Sequence, residues 1–225
     1  MLAVLQRAGV RAGERDRPVC EGLELKVVRA EECDLPDIIE LYQAVIDAVT
    51  GTEHDVFWEL GKRPTFEDLQ AAVGAGELLL CLPASPAVPS ACTAEQPAAG
   101  TAAQASLNAA LPAIIGAAIL NNVQAQGYEQ APWVRSGTPA EVFCLHLFCV
   151  HPQLARRGVG SRFLQLVLAE ARRRGAVSLR LDVLPNNIPA QRLYKRNGFV
   201  DHGFFHLYYG EGLLTDFYLM EYPFE

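Results

Sequence analysis

Leu181-Asp182-Val183-Leu184-Pro185-Asn186-Asn187-Ile188-Pro189-Ala190-Gln191-Arg192-Leu193-Tyr194-Lys195-Arg196-Asn197-Gly198-Phe199 is the stretch that decides the fold. It opens at the end of an alternating segment, Ser178 to Val183, that reads as a strand. Pro189 to Arg196 then reads as a short helix, and Asn197-Gly198 stops it. The spacing from Asn187 onward is N-x-x-A-x-x-L-Y-x-x-x-G-F. Upstream, residues 147–163 read LFCVHPQLARRGVGSRF, the end of an apolar strand, a turn, and then Gly158-Val159-Gly160 at the start of a helix.

A helix start is chemically suited to an anion. Its first amides lack intrahelical acceptors and carry partial positive charge. Glycine lets the backbone approach a ligand and adopt positive φ. Pyrophosphate is the natural guest of such a loop, and Arg156 and Arg157 add charge. Gly-x-Gly alone is also compatible with a bare strand-to-helix turn. A dinucleotide fingerprint asks for a third glycine where this chain has Phe163, and no Gly-Lys-Ser/Thr is present for an ATP loop.

Outward from this core, Glu141 to Val150 reads as a central strand, apolar on both faces except at His146. Simple alternation places Val142, Cys144, His146, Phe148 and Val150 on one face. Gly158 to Arg174 is a helix with Arg172 to Arg174 in its last turn and Gly175 after it. Earlier come a strand at 23–29, a helix capped by Asp34 and ended by Gly51, a loop with His54, Phe57 and Trp58, and a helix capped by Thr65 with Asp68 in its capping box. Strands follow at 77–82 and 113–120, then a loop at 121–140 holding Tyr128 and Trp133. Two strands, near 199–208 and 214–222, close the chain. The order β α α β β β α β α β β is a mixed α/β arrangement, not a βαβ repeat.

The chain has 225 residues, which suits one domain at 23–225 after a flexible extension at 1–22. Residues 83–112, rich in Ala, Pro, Ser, Thr and Gln, read as a flexible insertion between strands. No apolar run nears the roughly 20 residues of a membrane span, and residues 1–22 lack a secretory signal pattern. A net charge of −7 disfavours a nucleic-acid partner. Cys20, Cys33, Cys81, Cys92, Cys144 and Cys149 show no metal-ligand spacing and read as reduced thiols of a cytoplasmic protein, with no metal.

The two motifs, in this order and spacing, resemble the GNAT acyltransferase superfamily. The resemblance is specific from Glu141 to Phe199. It implies a GNAT-like fold: a central, mostly antiparallel sheet of six to seven strands, splayed between the fourth and fifth, flanked by about four helices. It also implies an acetyl-CoA-dependent N-acetyltransferase acting on a primary amine of a small molecule or peptide, by direct attack in a ternary complex. Other readings are a non-catalytic acyl-CoA sensor or scaffold, and a different nucleotide-binding domain. The family leaves a homodimer open.

By the same resemblance, the pantetheine arm pairs with the backbone of Phe148, Cys149 and Val150. Arg156, Arg157, Gly158, Val159, Gly160 and Ser161 hold the pyrophosphate. Asn187 and Ala190 lie at cofactor positions, and Tyr194 near the CoA sulfur is the acid for the leaving thiolate. Ala155 replaces the family's usual polar residue, which removes one side-chain contact. Cys144 stands where some members carry a Glu base. An alkyl ammonium, with a pKa of roughly 10.4, needs help to lose its proton. His146 is then either a neutral base or a core histidine bonded to a carbonyl, and His206, Tyr128 and Trp133 are other substrate-side groups. The plainer alternatives are a turn or cap residue before Pro189 for Asn187 and a core tyrosine for Tyr194. The acidic 34–68 region suits a cationic acceptor.

Overall fold

A computed structural model describes residues 23–84, 111–209 and 213–225. Seven strands form one mixed sheet: β1 (Leu25–Arg29), β2 (Leu78–Pro83), β3 (Gly116–Asn121), β4 (Val142–Val150), β5 (Ser178–Val183), β6 (Val200–Tyr209) and β7 (Leu213–Pro223). Their spatial order is β1-β2-β3-β4-β5-β7-β6. All pairings are antiparallel except β4 with β5. Among the described residues four α-helices accompany them: α1 (Leu35–Val49), α2 (Phe66–Gly74), α3 (Val159–Arg173) and α4 (Ile188–Arg196). This is the splayed fold that the motifs imply.

The helices form where local chemistry asks for them. Thr65 Oγ1 accepts the Asp68 amide at 3.0 Å while Asp68 Oδ2 accepts the Thr65 amide at 3.2 Å, a complete capping box on α2. Asp34 behaves differently from the expected cap. Its carboxylate accepts the Glu31 amide at 2.9 Å, closing a 3-10 turn at Glu32–Asp34, and α1 starts without a side-chain cap. The carboxylate reaches back three residues because the 3-10 turn brings that amide closest. The 1–22 extension and most of the 83–112 insertion lie outside the described residues.

The sheet is covered on both faces. Phe163, Leu164, Val167 and Leu168 of α3 pack with Tyr194 of α4 against Phe143, Leu145, Leu179 and Leu181. On the other face, α1 and α2 cover β1 to β3 with Ile38, Tyr42, Leu69 and Val73. The loop between β3 and β4 covers the rest of that face, with Tyr128 and Ala131 against Cys144, Phe217 and Leu219. Burial of these apolar side chains, at roughly 25 cal/mol per Å², drives the assembly.

Alternation along β4 is broken. The β3–β4 register slips between Ala117 and Ile119, and Leu147 has φ +50°. This is a β-bulge, and it reverses which face each later residue meets. Phe143, Leu145, Phe148 and Val150 therefore face α3, while Leu147 and Cys149 face α1 and α2. The expectation that His146, Phe148 and Val150 share a face is corrected: the extra residue separates them. Tyr42 of α1 donates to the Leu147 carbonyl at 2.9 Å and so satisfies the bulge.

Cys81, Cys144 and Cys149 are buried free thiols. Cys33, exposed on the turn before α1, is disulfide-bonded, so the reading of every cysteine as a thiol fails there. No helix among the described residues is long and apolar enough to cross a membrane.

Candidate active site

The site begins where β4 and β5 part. They pair only at Val142↔Ser178, Phe143↔Leu179 and Cys144↔Arg180. Beyond that point β4 continues to Val150 without a partner on this side. Its first half is buried, and Leu147, Phe148 and Val150 are half-exposed. An extended chain laid there can take up the backbone groups that β5 leaves, as an added strand would.

The start of α3 lies at the same end. Gly158 caps the helix in the left-handed region at φ +76°, and Arg156 before it has φ +62°. The amides of Val159, Gly160 and Ser161 precede the first intrahelical donor, the Arg162 amide, which bonds the Gly158 carbonyl at 3.2 Å. Arg156 and Arg157 are exposed. A Cβ built at Gly160 would come no closer than 3.7 Å to Leu193. The chain's own packing thus does not require glycine at 160, and the missing side chain leaves room for an approaching ligand. Gly116 is the opposite case: its Cβ would stand 2.6 Å from the Cys149 carbonyl oxygen.

Tyr194 is buried, with its ring 5.4 Å from Phe199 and 6.3 Å from Phe148, which itself stacks on Phe163. Burial raises its hydroxyl pKa, and the nearby charge of Asp182 raises it further. A protonated phenol at the parting of the strands can donate, and it is also part of the core. Asn187 caps α4, its Oδ1 accepting the Ala190 amide at 3.3 Å. Ser161 Oγ accepts from Asn197 at 3.1 Å, which ties the start of α3 to the end of α4.

His146 and Asp182 each lie two residues past the last β4–β5 pair, near enough for the charge of His146 to act on Asp182. His146 Nε2 lies 3.0 Å from the Val123 carbonyl, which can only accept, so Nε2 carries the hydrogen and Nδ1 is the basic nitrogen. Asp182 Oδ2 accepts from the Tyr128 hydroxyl at 2.8 Å. Burial raises the Asp182 pKa, and the Tyr128 bond and the His146 charge counter that rise. Asp182 was missed by the strand reading, because its partner lies 54 residues away in an irregular loop. The cysteines are poor nucleophiles: burial pushes Cys144 and Cys149 up to about 12. His151 caps the following 3-10 turn through Gln153, at 3.4 Å.

A cleft of about 430 Å³ opens past the end of β5, its wall beginning at Leu184. Phe57, Leu184 and Pro185 form an apolar wall, and Asn186, His206, Thr215 and Asp216 supply polar groups. His206 Nδ1 is in close contact with Asp216 Oδ1. The loop after α1 is pinned over the cleft: Asn186 Nδ2 donates to the Asp55 carbonyl at 2.7 Å, and His54 Nδ1 meets the Asn186 carbonyl at 3.0 Å. Phe57 is 69 % exposed and held at φ +56°. His206 thus belongs to the cleft, Tyr128 to the Asp182 contact, and Trp133 to the loop covering β5. Among the described residues no cluster of His, Cys, Asp or Glu could hold a metal ion.

Comparison with known proteins bears on the family and the fold. Residues 86–199 match the sequence profile of the Acetyltransferase (GNAT) family. No curated protein sequence matches the chain. Among solved structures, a GNAT-family acetyltransferase from Streptococcus agalactiae is similar with a TM-score of 0.62 at 13% identity, over 89% of this chain and 96% of that one. A GCN5-related N-acetyltransferase from Kribbella flavida gives 0.53 at 18% identity, over 89% and 98%. A structure of yncA from Salmonella typhimurium, assigned as an acetyltransferase and solved with its cofactor acetyl-CoA, gives 0.52 at 15% identity, over 90% and 95%.

Proposed function

Because the chain belongs to the Acetyltransferase (GNAT) family, we propose that it transfers an acetyl group from acetyl-CoA to a primary amine of a small molecule or peptide. The observation that carries this reading is the parting of β4 from β5 beside a helix start with room for a ligand. Acetyl-CoA fits this frame: its pantetheine lies along Phe148, Cys149 and Val150, and its pyrophosphate on Arg156, Arg157, Gly158, Val159, Gly160 and Ser161. The amide group of Asn187 and the backbone of Ala190 border it from α4. Bound acetyl-CoA supplies the activated acetyl thioester.

The protein's own groups do the rest. Tyr194, kept protonated by burial, gives its proton to the leaving thiolate. His146, with Nδ1 basic, handles the proton on the acceptor side. The cleft at Phe57, Leu184 and Asp216 receives the acceptor, its apolar wall suiting a hydrocarbon body and its carboxylate a cation. The chain acts without metal, nucleic acid or membrane, and the buried thiols fit a cytoplasmic location.

Thermal shift with acetyl-CoA and with NAD tests the cofactor. A shift with NAD alone sinks the reading. Release of CoA thiol with spermidine, tyramine and a free tripeptide tests transfer. A thermal shift without thiol release from any amine would make the domain a sensor.

A further inference from the structure

The acceptor ammonium needs a group to take its first proton, and His146 does not stand alone past the point where β4 and β5 part. Asp182 follows Leu181 on β5, two residues past the last β4–β5 pair, and feels the charge of His146 across the parted strands. It is half-buried, lies on the sheet face that the β3–β4 loop covers, and sits two residues before the cleft wall at Leu184. Tyr128, 1 % exposed, donates to Oδ2 at 2.8 Å and does not engage Oδ1.

The aim of Tyr128 is held from behind. Trp133 Nε1 donates to the Tyr128 carbonyl at 2.7 Å, and the Trp133 ring stacks under the Arg180 guanidinium at 4.3 Å. Arg180 donates to Gln124 Oε1 at 2.7 Å and to the Arg135 carbonyl at 2.9 Å. An exposed loop tyrosine would not need this much support.

We propose that Asp182 Oδ1 takes the proton of the acceptor ammonium, with Tyr128 aiming the carboxylate and His146 passing the proton to solvent. The proposal rests on the acetyl-transfer reading above and names the group that meets the amine first. The balance is complete. The ammonium gives one proton to Asp182, and the freed nitrogen lone pair forms the C–N bond to the acetyl carbon as the C–S bond breaks. The sulfur takes a proton from Tyr194, the second nitrogen proton restores Tyr194, and the first leaves by way of His146.

The groups facing Asp182 are Tyr128 from the loop, His146 and Cys144 from β4, and Tyr194 from α4, with apolar Leu219 beside it on β7. Its pKa is raised by burial, which makes it a better base than a surface aspartate. A carboxyl whose pKa is raised by folding binds its proton more tightly in the folded state. Its contribution to stability is therefore full at low pH and is lost as pH rises through the raised value.

The test has two arms. In the first, Asp182→Asn lowers kcat about 100-fold or more with the amine of the panel turned over fastest. It leaves the acetyl-CoA thermal shift intact and leaves the melting temperature at pH 8 at or above wild type. Asp182→Glu restores part of the rate. Tyr128→Phe and His146→Ala each move the acidic limb of the kcat/KM profile to higher pH, because each removes an influence that lowers the Asp182 pKa. The second arm needs no acceptor: the side-chain carboxyl of Asp182, followed by carbon-13 NMR, titrates above the ordinary aspartate value of about 3.9 and rises further in Tyr128→Phe. Turnover of Asp182→Asn within twofold of wild type, or titration at the ordinary value, overturns the proposal. If no amine is turned over, the transfer reading fails and the carboxyl titration alone decides whether Asp182 is a poised base.

Discussion

Two carboxylates on neighbouring strands, facing the same side of the sheet, are treated in opposite ways. Glu221 on β7 is fully buried and saturated. It accepts from Ser178 Oγ at 2.7 Å, from the amides of Val134 and Arg135 at 2.6 and 3.1 Å, and pairs with His202 at 3.1 Å. Arg180 lies across from it in register. Asp182 on β5 accepts a side-chain hydrogen bond from Tyr128 at 2.8 Å and takes a half-buried position past the last β4–β5 pair. The sealed region spends its charge on fixing a loop, and the parted region leaves a charge able to act. A buried polar network rigidifies only when every member is satisfied.

The largest expected effect lies in the sealed region. Glu221→Ala leaves Arg180 buried without its counter-charge and the Val134 and Arg135 amides without acceptors, and urea unfolding should show a loss of about 3–5 kcal/mol. The same variant should lose turnover beyond its stability loss, because the loop it anchors also carries Tyr128. If turnover per folded molecule is unchanged, the two regions are independent and the comparison breaks. At the parted edge, Gly160→Ala should leave unfolding unchanged but weaken acetyl-CoA about tenfold, roughly 1.4 kcal/mol, by calorimetry. Equal affinity would mean that no ligand comes close to Gly160. Tyr128→Phe should cost about 1 kcal/mol in urea unfolding, since it removes one hydrogen bond without emptying a cavity.

The smallest effect is a control outside both regions. Glu170 on α3 accepts from Arg173 at 2.7 Å and from Arg174 at 2.8 Å, and these contacts pull its pKa down to about 2. A depressed carboxyl stabilises the fold above its unfolded value of about 4.5 and loses that contribution as pH falls toward 2. Because Arg173 is largely exposed, Glu170→Gln should cost less than about 1 kcal/mol at pH 7, and less still at pH 3.

What could be read from the sequence was local or built into a short motif. The Thr65–Asp68 box, the glycine stop at 175 and the helix from Gly158 are each decided within a few residues. The two motifs led to the parted strands because their spacing is short and fixed. In the sequence Asp182 is an alternating residue of the 178–183 strand, and its surroundings come from Tyr128 and His146 on other elements. Glu221 and His202 were invisible for the same reason: an isolated Glu in an apolar strand looks the same whether it is surface or sealed. His146 turned out to satisfy the carbonyl-bonded reading while keeping Nδ1 basic.

The bulge at Leu147 also sets a rule for comparing this chain with others. It is a phase slip in the strand: before it, odd-numbered residues face α3, and after it, even-numbered ones do. Any role carried across from a protein whose fourth strand lacks the extra residue arrives correctly upstream of Leu147 and one position off downstream. The frame shift falls between His146 and Phe148, so it divides the proton-handling residues from those proposed to lie along the cofactor.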